Sequence, residues 1–475
     1  MNLLQPSGRY GCATCDTTTD SPPGPTTCIA HPKVVANIRQ LVRRARVLST
    51  ADARLAQSMG LLDIPSIGRT GWNDGVIYPL QDLPSPARWR ALSPSRRVSA
   101  PKPVGTMNCL VLLVDFADNP GSTPPAHYEK LLFDPAHPGS MNSFYREMSY
   151  GKLNVTGRVS AWLRMPKPYS FYVDNQSGTG SSFPKNTPGL LQDALTAYCK
   201  RNSLAPFDLN GDGFVDGLFL VHAGPGAEVQ SLPARRKSMI WSHKWTLPTP
   251  FVNNGVKAFA YFTAPEDGKL GVFSHEFGHF IGLPDLYDTS YRSRGVGDWC
   301  LMAGGSWGGG GDVPSRLSAW CLAMLGWIKP RNVTRTANYR IDTLSVDKTD
   351  CLRVWTKGQA SPEYFLLENR QQTGRDAALP GSGLAVWHID ERQGDNTNAL
   401  AYRVGLVQAD GARDLELNRN DGDPGDLFPG TLNVMQLKDT GAFAPSTRAH
   451  DGSPTGVALT AIKTKGGKVS FRVKV

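Results

Sequence analysis

The sequence of 475 residues contains no run of about 18 consecutive apolar residues. A helix needs about 20 such residues to cross a bilayer, so the sequence predicts no membrane span. The first residues, Met1–Pro6, also lack a charged segment followed by an apolar one, so no signal peptide is visible there. Because a chain of this length is too long for one compact core, we expect two or three domains.

Acidic residues are scarce in the first part of the chain. Residues 1–105 hold 13 Lys or Arg and 6 Asp or Glu, which gives +7 of the total formal charge of +10. A basic surface can bind nucleic acid, but no recognisable nucleic-acid fold or row of interleaved aromatic residues accompanies this one. We therefore expect no nucleic-acid partner, and we interpret the basic segment as a cover for an acidic metal cleft.

A metal-binding pattern occurs at Ser274–Asp285, where His275 and His279 have the spacing H-E-x-x-H. Side chains four residues apart lie on one face of a helix, so both imidazoles can bind one ion while Glu276 projects beside them. Zinc suits this design because it binds neutral imidazoles and keeps an open position when three protein ligands are supplied. An ordinary helix can carry the same spacing, but the flanking residues here are apolar, and burying two unpaired histidines is unfavourable.

The choice of the third metal ligand is limited by a further absence. No Glu occurs between Phe280 and Pro362. That absence disfavours the thermolysin arrangement, in which a Glu from a later helix completes the site. The glycine and proline of Gly282–Pro284 predict instead that the helix ends early and the chain turns back. The turn brings Asp285 towards the ion, with Asp288 and Glu266 as weaker alternatives.

Two Asp-rich segments indicate calcium sites. In Asp208–Asp216, oxygen-bearing side chains recur at alternate positions and Gly213 allows the bend, as at the front of a calcium loop. The twelfth position is Phe219 instead of Glu, so a complete EF-hand is not predicted, and a plain turn is the alternative. The candidate calcium ligands are Asp208, Asn210, Asp212 and Asp216. A second candidate site consists of Asp421, Asp423 and Asp426.

Cysteines in the first part of the chain offer a further metal pattern. Cys12-x-x-Cys15 and Cys28-x-x-His31 have the spacing of a small zinc knot. A disulfide with a spare thiol is the alternative, because cysteine spacing does not fix partners. Farther along, residues 33–47 have helical periodicity with a basic face, and the exposed-looking pair at 96–97 is a candidate processing site or part of a solvated linker.

The pattern of apolar residues predicts an α+β fold. Residues 109–116 and 169–173 are expected to form strands, and residues 188–201 an amphipathic helix. Strands near 240–243 and 258–263 would form a cleft edge along which an extended peptide pairs. After residue 330, alternating segments separated by Gly, Pro and Asp predict a β-sandwich-like domain. Its expected strands are 338–344, 351–356, 363–369, 383–389, 404–409, 456–463 and 468–475.

Met302 and the pair His388 and Asp390 are further candidates for the functional site, and each can also be explained as a purely structural position. Met302 lies in a Gly-rich turn shortly after Asp285, where its thioether can form an apolar floor beneath a metal without binding it. An ordinary core position is the alternative. His388 and Asp390 are alternate residues of one predicted strand, a placement that is more often structural than functional.

Several motifs, taken in chain order, resemble one family. They are SYGKL, DLNGDGFVDG, HEFGHFIGLPDLYD, DWCLMAGGSW, LPGSGLAVWHID and GDLFPG. Over roughly residues 105–450 the chain resembles the immune inhibitor A family of secreted bacterial zinc metallopeptidases. The resemblance implies a metzincin-like fold, endopeptidase activity on proteins, secretion, bound calcium and an N-terminal propeptide. It also implies roles for particular residues: His275, His279 and Asp285 as zinc ligands, Glu276 as catalytic base and Met302 in the Met-turn.

We therefore predict an N-terminal propeptide-like segment, mostly irregular or helical, over residues 1–104. A zinc metallopeptidase domain over 105–330 and a β-rich domain over 331–475 follow. The expected function is hydrolysis of peptide bonds in protein or peptide substrates, with a zinc-bound water activated by Glu276. The alternative is a non-catalytic secreted binding or adhesion protein on a degenerate peptidase scaffold. The oligomeric state does not follow from the sequence.

A latency mechanism is the last expectation. A cysteine among Cys12, Cys15 and Cys28 could occupy the open zinc position, or the basic segment could block the cleft. Either device would keep the peptidase inactive until the first part of the chain is removed.

Overall fold

A computed structural model describes residues 26–35, 103–440 and 445–475. The predictions for Cys12, Cys15 and the pair at 96–97 lie outside these residues, as does most of the predicted helix 33–47. Its described part, residues 33–35, belongs to a helical turn over residues 32–35. None of the helices in the described part of the chain is long and apolar enough to span a membrane.

The first part of the fold is a seven-stranded mixed sheet. Its strands are β1 (Thr26–Thr27), β2 (Gly105–Asp115), β3 (Leu153–Val159), β4 (Leu163–Arg164), β5 (Gly217–His222), β6 (His243–Asn253) and β7 (Val256–Pro265). They lie in the order β1-β6-β7-β5-β2-β3, with β4 also paired to β2. Strands β2, β3, β5 and β7 are parallel, whereas β6 runs antiparallel to β7 and carries β1 on its outer edge.

Seven α-helices accompany the strands in the described residues from 103 onwards. They are α1 (Pro125–Phe133), α2 (Met141–Met148), α3 (Tyr169–Val173), α4 (Thr187–Cys199), α5 (Pro233–Lys237), α6 (Leu270–Phe280) and α7 (Ala319–Met324). Helix α4 matches the amphipathic helix predicted at 188–201, and Asn186 caps it by accepting a hydrogen bond from the Gly189 amide at 3.1 Å. The predicted strand at 169–173 is wrong, because this segment is helix α3. Five residues are too few for periodicity to separate a strand from a helical turn.

Two hydrophobic cores cover the two faces of the first sheet. In β5, Phe219 and Val221 point into the core that contains α6, while Leu218 and Leu220 point into the core that contains α4. This alternation explains the continuous apolar run of the strand, because a sheet covered on both faces has no solvent side. The metal-binding motif therefore lies within the first core.

The C-terminal part contains two further sheets. Its strands are β8 (Arg331–Asn332), β9 (Ala337–Ile341), β10 (Leu352–Trp355), β11 (Glu363–Arg370), β12 (Gly383–Asp390), β13 (Val404–Leu406), β14 (Leu437–Lys438), β15 (Ala458–Lys465) and β16 (Lys468–Lys474). One sheet has the order β13-β12-β11-β10-β8 and the other β14-β15-β16-β9. All seven strands predicted beyond residue 330 are present within a few residues of their expected bounds. The mixed architecture confirms the α+β prediction.

The five-stranded sheet is buried on both faces. In β11, Tyr364 and Leu366 pack into the first core, whereas Phe365 and Leu367 pack into a third core shared with the four-stranded sheet. Because successive side chains of a strand point to opposite faces, one strand contributes to both cores. The two parts of the chain thus meet through a sheet that belongs to both.

Candidate metal centre

Helix α6 presents the histidine motif from inside the first core. All its residues are buried, and the helix ends at Phe280. Gly282 then adopts a φ of 105°, a conformation that favours glycine. The amide of Leu283 donates back to the carbonyl of Gly278 at 2.9 Å, which closes the turn. The next residues therefore run back along the helix end, and Asp285 reaches the two histidines.

Three potential metal ligands converge at this turn. Oδ1 of Asp285 lies 3.2 Å from Nε2 of His275 and 3.1 Å from Nε2 of His279. The two Nε2 atoms are 3.1 Å apart. In a tetrahedral zinc site with bonds of about 2.0–2.1 Å, neighbouring ligand atoms are separated by about 3.3 Å. The spacing of the three atoms fits one zinc ion.

Each imidazole is oriented by a backbone carbonyl. Nδ1 of His275 donates to the carbonyl oxygen of Leu301 at 3.0 Å, and Nδ1 of His279 donates to that of Leu283 at 2.8 Å. A carbonyl oxygen only accepts, so the proton of each ring lies on Nδ1 and the lone pair of Nε2 faces the shared point. Metal-ligating histidines usually donate such a hydrogen bond from the ring nitrogen that does not bind the metal.

Burial and neighbouring charges favour the ligand forms of these side chains. Burial lowers the pKa of His275, and repulsion from His279 adds to this while Asp285 acts in the opposite direction. Burial would raise the pKa of Asp285, but His279 and His275 hold it below its ordinary value. A neutral imidazole beside a carboxylate is the protonation state that zinc binds.

The carboxylate oxygens of the site accept no hydrogen bond from the described residues. Neither oxygen of Asp285 nor of Glu276 makes a well-formed hydrogen bond there, although both side chains are buried. Buried polar atoms are nearly always satisfied, so these four oxygens indicate a bound species. The residues present therefore fit a zinc ion and its water.

Glu276 has the electrostatic setting of a general base. Burial raises its pKa well above the ordinary value, His279 partly offsets this, and Asp285 and Glu228 raise it further. A carboxylate whose pKa is shifted towards the working pH can both accept and return a proton. Its position next to His275 places it at the edge of the ligand cluster.

Met302 lies in the first core directly against α6. Its side chain is fully buried, and its carbonyl oxygen accepts a hydrogen bond from the amide of Leu286 at 2.8 Å. The preceding residue, Leu301, supplies the carbonyl that orients His275. The turn that contains Met302 thus supports both the helix and the segment that carries Asp285.

The two alternative third ligands are engaged elsewhere. Asp288 accepts hydrogen bonds from the backbone and hydroxyl groups of Ser290 and Ser293 in its own loop. Glu266 accepts from the amides of Ser122, Thr123 and Gly224. Neither belongs to the ligand cluster formed with His275 and His279.

The candidate calcium loop at 208–216 is organised by its own backbone. Asp208 accepts from the amides of Asp212 and Gly213, both at 3.0 Å, and Asp212 accepts from the amide of Phe214 at 2.9 Å. Asp216 turns inward and accepts from the amide of Asn108 at 2.8 Å, while the Asn210 amide group donates to Asp212 at 2.9 Å. The four residues lie in one loop, and calcium there stays a prediction.

The second acidic cluster differs in membership from the predicted one. Ligand oxygens of Asp410, Asp423 and Asp426 lie within 4.8 Å of one another. Asp421 instead pairs with Arg294. Burial raises the pKa of Asp426 to about 7, with Asp423 and Asp410 adding to the effect. Sequence reasoning missed Asp410 because it precedes the motif by a loop whose path the sequence does not reveal.

His388 belongs to a polar cluster in the five-stranded sheet. Its Nε2 lies 2.9 Å from Oε1 of Glu363, and its ring is tilted by 35° against that of His450, with 4.1 Å between the centroids. Arg392 pairs with Glu363 and with Asp390. The arginine offsets one of the two negative charges, and both carboxylates have ion-pair partners within the cluster.

Cys28 was one of several candidates for the metal in the sequence, and the structure places it at the site. Its Sγ and ligand atoms of His275 and Glu276 lie within 4.8 Å of one another. The sequence missed the side chains that hold its segment, namely Trp241, Tyr291 and Trp307. The zinc knot stays a prediction, because two of its four members lie outside the described residues.

Comparison with known proteins matches this domain to one family. Residues 104–328 match the immune inhibitor A peptidase M6 catalytic domain. The chain is 33% identical over 278 residues to immune inhibitor A of Bacillus thuringiensis subsp. alesti, covering 48% of this chain and 40% of that protein. It is 32% identical over 274 residues to the pre-pro-metalloprotease PrtV of Vibrio cholerae serotype O1 (strain M66-2), covering 46% and 30%. The matched region thus spans less than half of each relative.

Proposed function

Because residues 104–328 match the immune inhibitor A peptidase M6 catalytic domain, we propose that this chain is a zinc-dependent endopeptidase. Its substrates would be proteins or peptides, as expected for a metalloprotease domain. The proposal rests above all on one observation. Three ligand atoms of His275, His279 and Asp285 converge at zinc spacing beside the unpartnered carboxylate of Glu276.

Zinc bound by these residues would supply Lewis acidity towards the scissile carbonyl and acidify the attacking water. Glu276 accepts the proton of that water and later delivers it to the leaving amine. Its pKa, raised mainly by burial, suits this return step, because a strongly acidic carboxyl would hold no proton to deliver. Met302 acts as the apolar floor that fixes the helix carrying both histidines.

The substrate would bind along β6. This strand lies at the outer side of the antiparallel pair β6–β7, and its first residues, His243 and Lys244, pair with β1 on that edge. An extended peptide that pairs with such an edge is held through its main chain.

The finer features of the fold are part of the same proposal. We assign a metzincin-like domain to residues 105–330, a β-sandwich-like domain to 331–475 and a propeptide-like segment to 1–104. Secretion and calcium binding follow the same resemblance, with Asp208, Asn210, Asp212 and Asp216 as the first calcium ligands. The resemblance of the motifs and the shared core of the two C-terminal sheets support these assignments.

One experiment separates this function from that of a non-catalytic adhesion protein. Purified protein should contain about one zinc ion per chain and cleave casein, and a zinc chelator should abolish the cleavage until zinc is returned. A metal-free chain, or cleavage that continues at full rate after the zinc is removed, would exclude the proposal. Glu129→Gln alters an exposed residue on α1 and serves as the control for effects of purification and chelator treatment.

A further inference from the structure

The four-stranded sheet of the C-terminal part carries charges of one sign. Its strands β9, β14, β15 and β16 contain seven Lys or Arg and no Asp or Glu. The inner face of the sheet packs into the third core through residues such as Leu459, Phe471 and Val473. Because successive side chains of a strand point to opposite faces, the basic residues lie on the outer side. We call this outer surface the basic face.

The strand register spreads the positive charges over the whole basic face. Lys438 and Lys474 lie on either side of Ala458. Two further rows also combine cations with uncharged residues, namely Lys463, Ser470 and Arg340 in one and Thr460, Arg472 and Asn338 in the other. Given the spacing of strands and of residues along one face, neighbouring cations are separated by about 7–10 Å.

This arrangement of charges is unfavourable for the sheet by itself. Lys465 and Lys468 lie directly opposite each other, and like charges in that position destabilise a strand pair, whereas opposite charges would stabilise it. Nζ of Lys468 forms an ion pair with Asp342 at 2.6 Å. The other six cations form no ion pair with a described residue. A surface with this excess of positive charge attracts anions from outside the chain.

The remaining parts of this chain do not supply the missing negative charge. Residues 1–105, which include most of the chain outside the described ranges, carry +7 of formal charge and are repelled as a whole by a basic surface. Residues 441–444 hold no acidic residue. The anion that matches the basic face therefore belongs to another molecule.

The uncharged side chains between the cations indicate the kind of anion. Thr460 and Ser470 carry hydroxyl groups and Asn338 an amide, and these groups both donate and accept hydrogen bonds. Sugar hydroxyls do the same, whereas the oxygens of a phosphodiester only accept. Tyr339 and Phe471 stack on each other on the inner side of the sheet. The basic face thus offers no aromatic platform to the bases of a single-stranded nucleic acid.

We propose that the basic face binds a linear anionic polysaccharide. Sulfate or carboxylate groups of the polymer contact the Lys and Arg side chains, and sugar hydroxyls contact Thr460, Ser470 and Asn338. The inference goes beyond the proposed peptidase function and does not depend on it, because it concerns another surface and its tests measure binding alone.

The layers of the fold keep this surface apart from the metal centre. The third core lies between the four-stranded and five-stranded sheets, and the first core, which contains α6, lies on the other face of the five-stranded sheet. Two sheets therefore separate the basic face from the metal helix. A bound polysaccharide leaves the metal centre free and holds the chain on any surface that carries the polymer.

The first test measures the affinity of the full-length protein for heparin, a sulfated polysaccharide. Lys463→Gln/Arg472→Gln/Lys474→Gln removes three charges from exposed positions of the basic face. We expect it to bind heparin about tenfold or more weakly than wild type, with a salt dependence shallower by about two to three in log–log slope, because fewer counterions are released. The single variants Lys463→Gln and Arg472→Gln should each bind about twofold to threefold more weakly. A wild-type chain that does not bind heparin at about 50 mM salt overturns the proposal.

The matched control removes three charges from another part of the surface. Lys130→Gln/Lys185→Gln/Arg201→Gln changes exposed cations of the first part of the fold and lowers the net charge by the same amount. It should bind heparin within about twofold of the wild type, because distant sites act independently. An equal loss of affinity in both triple variants would show that net charge alone drives binding, and it would overturn the proposal.

The second test identifies the class of anion by competition against labelled heparin. A carboxylated polysaccharide such as alginate should compete, and neutral dextran should not. Duplex DNA of the same total charge should compete about tenfold more weakly than heparin. Duplex DNA that competes as well as heparin would overturn the polysaccharide assignment in favour of a nucleic-acid surface. Competition by neutral dextran would exclude recognition by charge.

Discussion

The sulfur atom of Met302 lies directly against Gly278 in helix α6. A Cβ atom placed on that glycine would stand only 2.5 Å from the sulfur. The hydroxyl of Tyr145 closes the same space at 3.3 Å. This contact joins the Gly-rich turn to the helix between its two histidines, so the position of the metal ligands depends on a residue without a side chain.

Gly278→Ala should therefore disturb the metal centre. The added methyl group must displace Met302, and overpacking of this kind typically costs about 1–3 kcal/mol. We expect a lower melting temperature and weaker zinc binding, measured by calorimetry and by competition with a chelator. Gly394→Ala is the control, because no atom lies within 4 Å of its new Cβ. Equal zinc affinity in the two variants would contradict this reasoning.

Asp285→Ala should lose zinc while Asp288→Ala keeps it. Both carboxylates are buried, at 1% exposure each, but only Asp285 reaches the Nε2 atoms of His275 and His279. Loss of a residue that only hydrogen-bonds to a metal ligand typically lowers metal affinity by about 10–100-fold. We expect the loss of Asp285, a ligand itself, to lower zinc affinity by more than that. Asp288→Ala should lower the free energy of unfolding by about 1–3 kcal/mol through the lost loop hydrogen bonds. Metal content per folded chain decides the comparison, and zinc lost only from Asp288→Ala would reverse the assignment.

Glu276→Gln should retain zinc and lose peptidase activity. The amide keeps the shape of the side chain but cannot accept the proton of water, and loss of a general base typically lowers the rate by about 10²–10⁴-fold. The change is best measured as kcat on a peptide substrate. Zinc content is measured alongside it. A rate within a factor of two of the parent, roughly no change in barrier, would remove Glu276 from this role.

Glu228 should make stability depend on pH in a defined direction. Its buried carboxyl accepts from the hydroxyl of Ser242 at 2.6 Å, and burial raises its pKa to about 7 from an ordinary 4.5. The folded state therefore favours the protonated form. The stability it contributes is fully present below pH 4.5 and is lost as pH rises through about 7, by on the order of 3 kcal/mol.

Glu228→Gln removes this titration while keeping a hydrogen-bond acceptor. The difference in free energy of unfolding between wild type and variant should change by that amount between about pH 4 and about pH 8, followed by denaturant titration. A difference that stays constant over this range would show that the carboxyl does not titrate in it.

The part of the site that was predictable is local in sequence. His275, His279 and Asp285 lie within one helix end and one turn, so helical spacing and the breakers Gly282 and Pro284 were enough to predict their approach. The C-terminal strands were predictable for the same reason, because alternation and turn residues are properties of short segments.

What the sequence did not reveal depends on distant contacts. The position of Cys28 follows from the pairing of β1 with β6, and the membership of Asp410 in the acidic cluster follows from a long loop. Neither pairing leaves a local pattern. The error at Tyr169–Val173 has a different origin, since a single helical turn and a short strand share the same apolar content.

The double burial of β11 has a consequence for the boundary between the two parts of the chain. If the chain were cut near residue 330, the first core would lose Tyr364 and Leu366, together with Trp387 from the adjacent strand. Water would then enter the core that contains the metal helix. Heat or denaturant should therefore melt the described fold in one cooperative transition, and a proteolytic fragment lacking the C-terminal sheets should be insoluble instead of active.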